Sequence, residues 1–188
     1  DSNWNSSDCL VIWGYMETVD DGELLYAVSS NNTISILGLS PSVGNVELII
    51  PSYIEGNEVV QIVREAFMNE SRLISVEIPN TIYEIQSKTF MGTVNLVALT
   101  FEEYSQIHSI GVSAFEDSGL ESIVIPHSVN QIGDSAFKDT NSLASVIFEQ
   151  HSQLLSIGRY TFKASGLEGI VIPASVTGIG LDAFRGTE

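Results

Sequence analysis

The 188-residue sequence predicts a solenoid, a curved right-handed coil of short parallel β-strands connected by short helical or 3-10 turns. Two recurring motifs and one internal duplication predict this fold. Phenylalanines that follow Ala or Thr recur every 22 to 25 residues, at Phe67, Phe90, Phe115, Phe137, Phe162 and Phe184. Between them an Ile-Pro motif or its substitute recurs, at Pro51, Pro79, Phe101, Pro126, Phe148 and Pro173.

The duplication indicates that the repeating unit is a pair of coils. Pro79, Pro126 and Pro173 are separated by 47 residues each, which divide into one coil of about 22 residues and one of about 25. Residues 96–142 align with residues 143–188, with identity at 24 of 46 positions. Because a single coil cannot bury its own apolar face, we expect the stack as a whole to supply the core.

Each coil is expected to contain three successive elements. Residues 120–126 alternate apolar with small or polar residues, which predicts a half-buried strand that the proline ends. A second extended piece, residues 128–132, should bury Val129 and Ile132. Gly133 should then turn the chain through a backbone geometry that a side chain resists, and Ser-Ala-Phe should form one helical or 3-10 turn. The Phe137 ring is expected to point inward and stack on the ring of the next coil.

The sequence before the repeats is predicted to cover the first coil. Residues 1–45 are expected to form an N-terminal β cap, and residues 46–188 about six repeat coils. Trp4 and Trp13 lie in the first 23 residues, where we expect a short capping strand, although exposed aromatic rings could alternatively stack on sugars. The repeats stop just after Phe184, where another coil would begin, so the natural protein is expected to continue.

Composition disfavours several classes of protein. Twenty-four acidic residues face seven basic ones, and the net charge of −17 disfavours nucleic acid and anionic lipid as partners. The simpler interpretation is that this charge keeps an extracellular protein soluble. The alternative is a surface that binds cations or a basic partner, but no acidic cluster in the sequence is tight enough to support it. No apolar run reaches membrane-spanning length, so no direct membrane insertion is expected. Cys9 is the single cysteine, so no disulfide can form within the chain.

Reactive side chains do not converge in the sequence. His108, His127 and His151 occupy different repeat positions, so no metal-ligand spacing emerges, and we expect no metal and no cofactor. The acidic pairs Glu102-Glu103 and Glu116-Asp117 should point apart along an extended chain, which is unfavourable for an acid–base dyad. We therefore expect no catalytic residues and no enzyme activity.

The outward-facing column of the predicted strands has an unusual composition. Outward positions are usually polar, yet Val124, Ile147 and Val171 are apolar and follow one another on what should be three adjacent strands. Small residues beside them should leave this stripe accessible. Cross-strand pairing of β-branched side chains would explain the stripe without a ligand, and a binding strip for a protein or glycan is the alternative. The candidate binding site comprises Thr100, Val124, Ile147, Val171, Ser122 and Ser145.

One motif is shared by residues 120–137 and 167–184, namely L-x-x-(V/I)-x-I-P-x-S-V-x-x-I-G-x-x-A-F. Phe101-Glu102 and Phe148-Glu149 replace Ile-Pro in the longer coils, and Val63-Arg64 and Gln86 depart from the motif where Gly is expected. The motif resembles the BspA-like (treponemal-type) leucine-rich-repeat family, and residues 24–66 resemble the N-terminal cap of that family.

The resemblance implies a leucine-rich-repeat solenoid and a surface or secreted protein associated with adhesion. We therefore expect an extracellular, cell-surface or secreted binding module that attaches to host or neighbouring-cell macromolecules through the strand face. A rigid spacer, whose binding domains lie elsewhere in the protein, is the alternative. The repeat motif itself carries no ligand, so the resemblance does not name a partner.

Overall fold

The computed structural model describes residues 15–187, which form three five-stranded β-sheets. The N-terminal sheet consists of β1 (Tyr15–Asp20), β2 (Leu24–Ser29), β3 (Thr33–Leu39), β5 (Tyr53–Ile54) and β6 (Asn57–Ile62). The face sheet consists of β4 (Val46–Ile49), β7 (Leu73–Ile78), β9 (Ala98–Phe101), β11 (Ser122–Ile125) and β13 (Ser145–Phe148). The second sheet consists of β8 (Glu84–Ile85), β10 (Ser109–Ile110), β12 (Gln131–Ile132), β14 (Ser156–Ile157) and β15 (Gly178–Ile179).

The face sheet and the second sheet are parallel throughout. Strands of successive coils lie side by side, in the order β4-β7-β9-β11-β13 in one sheet and β8-β10-β12-β14-β15 in the other. The chain thus passes once through each sheet in every coil between β7 and β14, because parallel neighbours require the chain to return before each new strand. The predicted solenoid of about six turns with short parallel strands is confirmed.

The N-terminal sheet differs because most of its pairs are antiparallel. Its order is β1-β2-β3-β6-β5, and only β3 and β6 pair in parallel. The carboxylate of Asp21 accepts hydrogen bonds from the amides of Glu23 at 2.9 Å and Leu24 at 2.8 Å, which closes the turn between β1 and β2. The cap boundary at residue 45 stays a prediction, and Trp4, Trp13 and Cys9 lie outside the described residues.

A ladder of aromatic rings runs through the core. Neighbouring phenylalanine rings lie 5.1 to 5.4 Å apart, centroid to centroid, and are nearly parallel. The stacked rings are the six predicted from the repeat, namely Phe67, Phe90, Phe115, Phe137, Phe162 and Phe184. Around them the apolar motif positions of one coil, such as Leu120, Ile125 and Ile132, are fully buried. The ladder stabilises the stack, since each ring buries roughly 150–250 Å² of surface.

The segments around the phenylalanines are hydrogen-bonded turns, and the expected single helical or 3-10 turn is wrong. The coils are numbered by their core phenylalanines, so the fourth coil contains Phe137. In it the amides of Ala136 and Lys138 donate to the carbonyls three residues earlier. Those of Ser135, Phe137 and Asp139 donate to the next coil, at 2.8 to 2.9 Å. Ser135 and Asp139 also have left-handed φ angles of 57° and 58°, which interrupt a helix. Within residues 15–187 there is accordingly no helix that could cross a lipid bilayer.

The glycine that follows the second strand in the later coils is required by close packing. Gly133 has no left-handed φ, so the expected special backbone geometry is not its reason. A Cβ added there would lie 2.8 Å from backbone atoms of Gly111 and Val112 in the preceding coil. Gly111 makes the same close approach to Ser87, with 2.6 Å between an added Cβ and the amide nitrogen. Glycine therefore permits the coils to stack at this corner of the solenoid.

Candidate functional site

The outward face of the face sheet carries most of the residues predicted to bind a partner. Val124 pairs in register with Ile147, and their side chains are 47% and 56% exposed. Ser122 pairs with Ser145 on the same outward surface. Thr100 lies beside Glu77 in the register of β7 and β9. The sheet thus brings Thr100, the serine pair and the apolar pair together, as their spacing predicted.

Val171 does not join this sheet. Residues 169–172 form no strand, although they repeat the Ile-Val-Ile sequence of β11, and Val171 is 87% exposed. The predicted stripe across three adjacent strands is therefore wrong at its third strand. A groove of about 780 Å³ separates β13 from this segment, and Ile147, Glu149, His151 and Val171 line it.

Serine hydroxyls at one repeat position differ between the fourth coil and the last segment. In the fourth coil the hydroxyl of Ser128 donates to the carbonyls of Ser105 at 3.1 Å and Ile107 at 2.7 Å, which fixes the chain after the strand. The hydroxyl of Ser175, at the same repeat position, is buried without a partner. The final coil is still attached elsewhere, because β15 pairs with β14 and the Phe184 ring stacks on Phe162.

Two smaller grooves continue the large one along the face sheet. One is lined by Glu47, Ile49, Glu77 and Thr100 among others, and the next by Thr100, Val124 and Glu149, each with a volume of about 340 Å³. Neighbouring grooves share Thr100 or Glu149 in their linings. We call the three together the face furrow. Its floor is the column of small residues, Ser75, Ala98, Ser122 and Ser145.

Glu149 and His151 are furrow residues that the sequence reasoning did not assign to the site. Both follow Phe148 in a longer coil, and Phe148 pairs with Ile125, so Glu149 takes the place of the proline. Its carboxylate accepts a hydrogen bond from the amide of His127 at 2.9 Å. The replacement of Ile-Pro by Phe-Glu was visible in the sequence, and it indicates a polar rim after every second strand.

Charge is divided between two surfaces of the solenoid. The five strands of the face sheet contain the acidic residues Glu47 and Glu77 and no Lys or Arg. Six of the seven basic residues instead lie within three positions of a core phenylalanine, on what we call the turn edge. These six are Arg64, Lys88, Lys138, Arg159, Lys163 and Arg185.

Most bases of the turn edge are paired with carboxylates. The ammonium of Lys138 lies 2.6 Å from Glu116 and 2.7 Å from Asp139, and these hydrogen bonds, that of Asp139 first, raise its pKa. Arg159 and Lys163 lie on the Tyr160 ring instead, 5.7 and 5.4 Å from its centroid, in cation–π geometry. Most turn-edge bases are therefore paired locally, and the seventh base, Arg72, which directly precedes β7, pairs with Glu70.

The residues considered for catalysis lie apart. The imidazole Nδ1 of His127 is 3.2 Å from Glu149, whereas His108 and His151 lie exposed in other coils. Glu102 accepts a hydrogen bond from the amide of Asn80 at 2.9 Å, which gives it a structural role at a turn. Within residues 15–187 no group of three or more His, Cys, Asp or Glu side chains is placed to hold a metal ion.

Comparisons with known proteins match this geometry. The family model described as BspA type leucine rich repeat region matches residues 60–188 in six copies. A comparison with curated protein sequences found no match. Among solved structures, the pneumococcal vaccine antigen PcpA superposes with a TM-score of 0.75 at 27% identity, over 91% of this chain and 48% of that one.

Two further structures share the fold. A leucine rich cell surface protein from Faecalibacterium prausnitzii has a TM-score of 0.62 at 25% identity, over 91% of this chain and 52% of that one. A leucine rich repeat protein of T. pallidum has a TM-score of 0.64 at 21% identity, over 90% of this chain and 89% of that one, and supports the fold alone. This chain spans about half the length of the first two.

Leucine-rich-repeat proteins such as these are of the bacterial cell-surface type. They typically act as binding or scaffold modules without catalysis. The family match covers more than half of the chain, and the parallel sheets, the aromatic ladder and the packed glycines agree with it. The chain belongs to the BspA-type leucine-rich-repeat family.

Proposed function

We propose that this chain is a non-catalytic, extracellular binding module of a cell-surface or secreted protein. It attaches to macromolecules of a host or of neighbouring cells through the outward side of the face sheet. The observation that carries this proposal is the exposed apolar pair Val124 and Ile147, in register on adjacent strands and bordered by serines. A protein ligand is favoured because repeat proteins of this type generally bind proteins.

The exposure of the pair is the main argument for a ligand. Cross-strand contact between two β-branched residues contributes about 0.2–1 kcal/mol, and it needs only their facing sides. Val124 and Ile147 leave about half of their surfaces in water, next to small side chains that do not cover them. Burying that apolar surface under a partner is favourable by roughly 25 cal/mol per Å², from which the entropic cost of association is subtracted.

The proposed location is supported by the solved relatives. One of them is described as a cell surface protein and another as a vaccine antigen. A chain with a single cysteine forms no internal disulfide and so gives no sign of an oxidising compartment. The continuous core of a repeat stack is stable without disulfides, however. An exported position is therefore compatible with the chain.

A paired substitution tests the proposal. The double variant Val124→Glu with Ile147→Glu should abolish binding to the partner that the parent binds in a panel of host matrix proteins and glycans. A matched control is Val112→Glu with Leu155→Glu, since these side chains are 48% and 53% exposed on other surfaces. Circular dichroism and the urea midpoint should show that both variants remain folded.

Three results would contradict the proposal. Equal loss of binding in the control variant would mean that added charge, and not the apolar pair, caused the effect. Binding retained by the Val124→Glu/Ile147→Glu variant would move the site away from the face sheet. A parent chain that binds no member of the panel would favour the rigid spacer.

A further inference from the structure

The face furrow has a polarity that selects one kind of partner. At the β4 end, the acidic residues Glu47 and Glu77 line a groove together with Ile49. At the β13 end, Val124 and Ile147 provide apolar walls. No Lys or Arg lies on any of the five strands, so the acidic end lacks a cationic neighbour within its own sheet.

The acidic end is held by the register of the strands. Ile49 pairs with Glu77, and Glu47 pairs with Ser75, so both carboxylates rise from the same surface on adjacent strands. Diagonal neighbours in such a pair lie roughly 7–8 Å apart. Two carboxylates at this spacing can be contacted by two successive basic side chains on one side of an extended chain, which repeat about every 6.6 Å.

The furrow has the length of a short peptide segment. Five strands at a spacing of about 4.8 Å extend over roughly 19 Å. An extended chain advances about 3.3 Å per residue, so about six residues span the distance from β4 to β13. The column of small side chains leaves room for this backbone along the floor of the furrow.

We propose that the face furrow binds an extended cationic protein segment, with basic side chains at Glu47 and Glu77 and apolar side chains at Val124 and Ile147. This inference rests on the proposed function and specifies its partner. An acidic polysaccharide is disfavoured because the furrow and the chain as a whole are both negative. A neutral glycan would make no use of the acidic end.

Synthetic peptides of about six residues, the length that spans the furrow, provide the probe. One peptide carries alternating Lys at its first half and alternating Leu at its second half, and two matched peptides replace Lys with Ser or with Glu. Fluorescence anisotropy measures their binding to the whole chain. The Lys peptide should bind, the Ser peptide more weakly and the Glu peptide not at all, because exposed charge pairs favour only the first.

Neutralising the acidic end tests the location. Glu47→Gln with Glu77→Gln should weaken binding of the Lys peptide roughly three- to thirty-fold at low salt. The matched control is Glu84→Gln with Asp117→Asn, which removes the same charge from exposed residues on the second sheet and the turn edge. It should change binding less than about two-fold. The difference between the variants should disappear as salt rises from about 0.05 to about 0.5 M.

The outcomes separate this inference from the proposed function. Equal weakening by both neutralised variants, or no binding of the Lys peptide, would overturn the cationic segment. A natural partner could also lose binding to Val124→Glu/Ile147→Glu while its binding to Glu47→Gln/Glu77→Gln is unchanged and insensitive to salt. That result would overturn the cationic segment and leave the proposed function standing. Binding of neutral glycans alone would also overturn it.

Discussion

The fourth and the final coil share one motif and differ in structure. Residues 120–126 and 167–173 both contain Ile-Val-Ile-Pro, yet the first forms β11 and the second forms no strand. Ile132 is fully buried, while Ile179 at the same position of the motif is 53% exposed. The motif alone therefore does not produce the strand or the core.

The two coils also differ in the neighbours that flank them. β11 pairs with β9 on one side and β13 on the other, so its backbone groups are bonded in both directions. In the described residues the final coil contacts a coil on one side only. A strand with one neighbour gains half of the hydrogen bonds for the same loss of conformational entropy, which weakens it but does not prevent it, since β15 forms in this coil with β14 alone. The unpartnered hydroxyl of Ser175 is consistent with this balance.

The largest expected effect is the loss of a ring from the aromatic ladder. Phe137→Ala should lower the free energy of unfolding by about 3–5 kcal/mol, because the buried ring stacks on Phe115 and Phe162. Phe184→Ala should lower it by roughly 1–2 kcal/mol, since that ring is only partly buried and stacks on one neighbour. Urea unfolding of both variants measures the difference, and equal losses would contradict the comparison.

A smaller effect on the free energy of unfolding is expected at the charged pair that anchors the first coil. The guanidinium of Arg72 donates to the carbonyls of Ser40 at 3.0 Å and Val43 at 2.9 Å and to the carboxylate of Glu70. The hydrogen bond from Arg72 lowers the pKa of Glu70 in the folded chain. Glu70 should therefore stabilise the fold above the ordinary carboxyl pKa of 4.5, and this contribution is lost as pH falls through the lowered value.

The variant Glu70→Gln makes this prediction measurable. It should be about 1 kcal/mol less stable than the parent at pH 7, and the two stabilities should converge as pH falls through the lowered pKa of Glu70. Glu65→Gln is the control, because Glu65 pairs with exposed Arg64 and Lys88 at 3.3 and 3.5 Å. A difference between parent and Glu70→Gln that persists at low pH would contradict the role of the carboxylate.

The smallest expected effect is a gain in stability from a substitution in the final coil. Gly169 stands where β11 has Ser122, and a Cβ added there meets no atom within 4 Å. Gly169→Ser should raise the free energy of unfolding by less than about 1 kcal/mol, through lower entropy of the unfolded chain and higher strand propensity. It should also slow amide hydrogen exchange in β13, which would gain a neighbouring strand.

Gly44→Ser is the matched control for this gain, since an added Cβ is also unobstructed there and the residue lies in a loop. Gly44→Ser lowers the entropy of the unfolded chain in the same way, but residue 44 cannot add a strand to the face sheet. Equal exchange rates of β13 in the two variants would mean that the missing neighbour, and not residue 169, keeps the final coil from pairing.

Sequence reasoning predicted the repeating parts of the molecule well. The spacing of Phe67 and its five counterparts predicted the ladder, and alternation within residues 122–125 predicted which side chains face water. It was wrong about the turns after Gly133, because bonds to the next coil occupy every second amide there. It also missed Glu149 and His151, whose positions in the furrow depend on where the following coil lies.

The solenoid, the register of its coils and the exposed apolar pair can be predicted from the residue pattern, because each follows from a local period of about 22 to 25 residues. The departure of Val171 from the sheet and the separation of acids and bases onto different surfaces are visible only in the folded chain. Both depend on contacts between coils, which no single repeat encodes. A strand forms where a neighbouring strand satisfies its backbone, and a surface acquires its charge from residues that distant parts of the chain bring together.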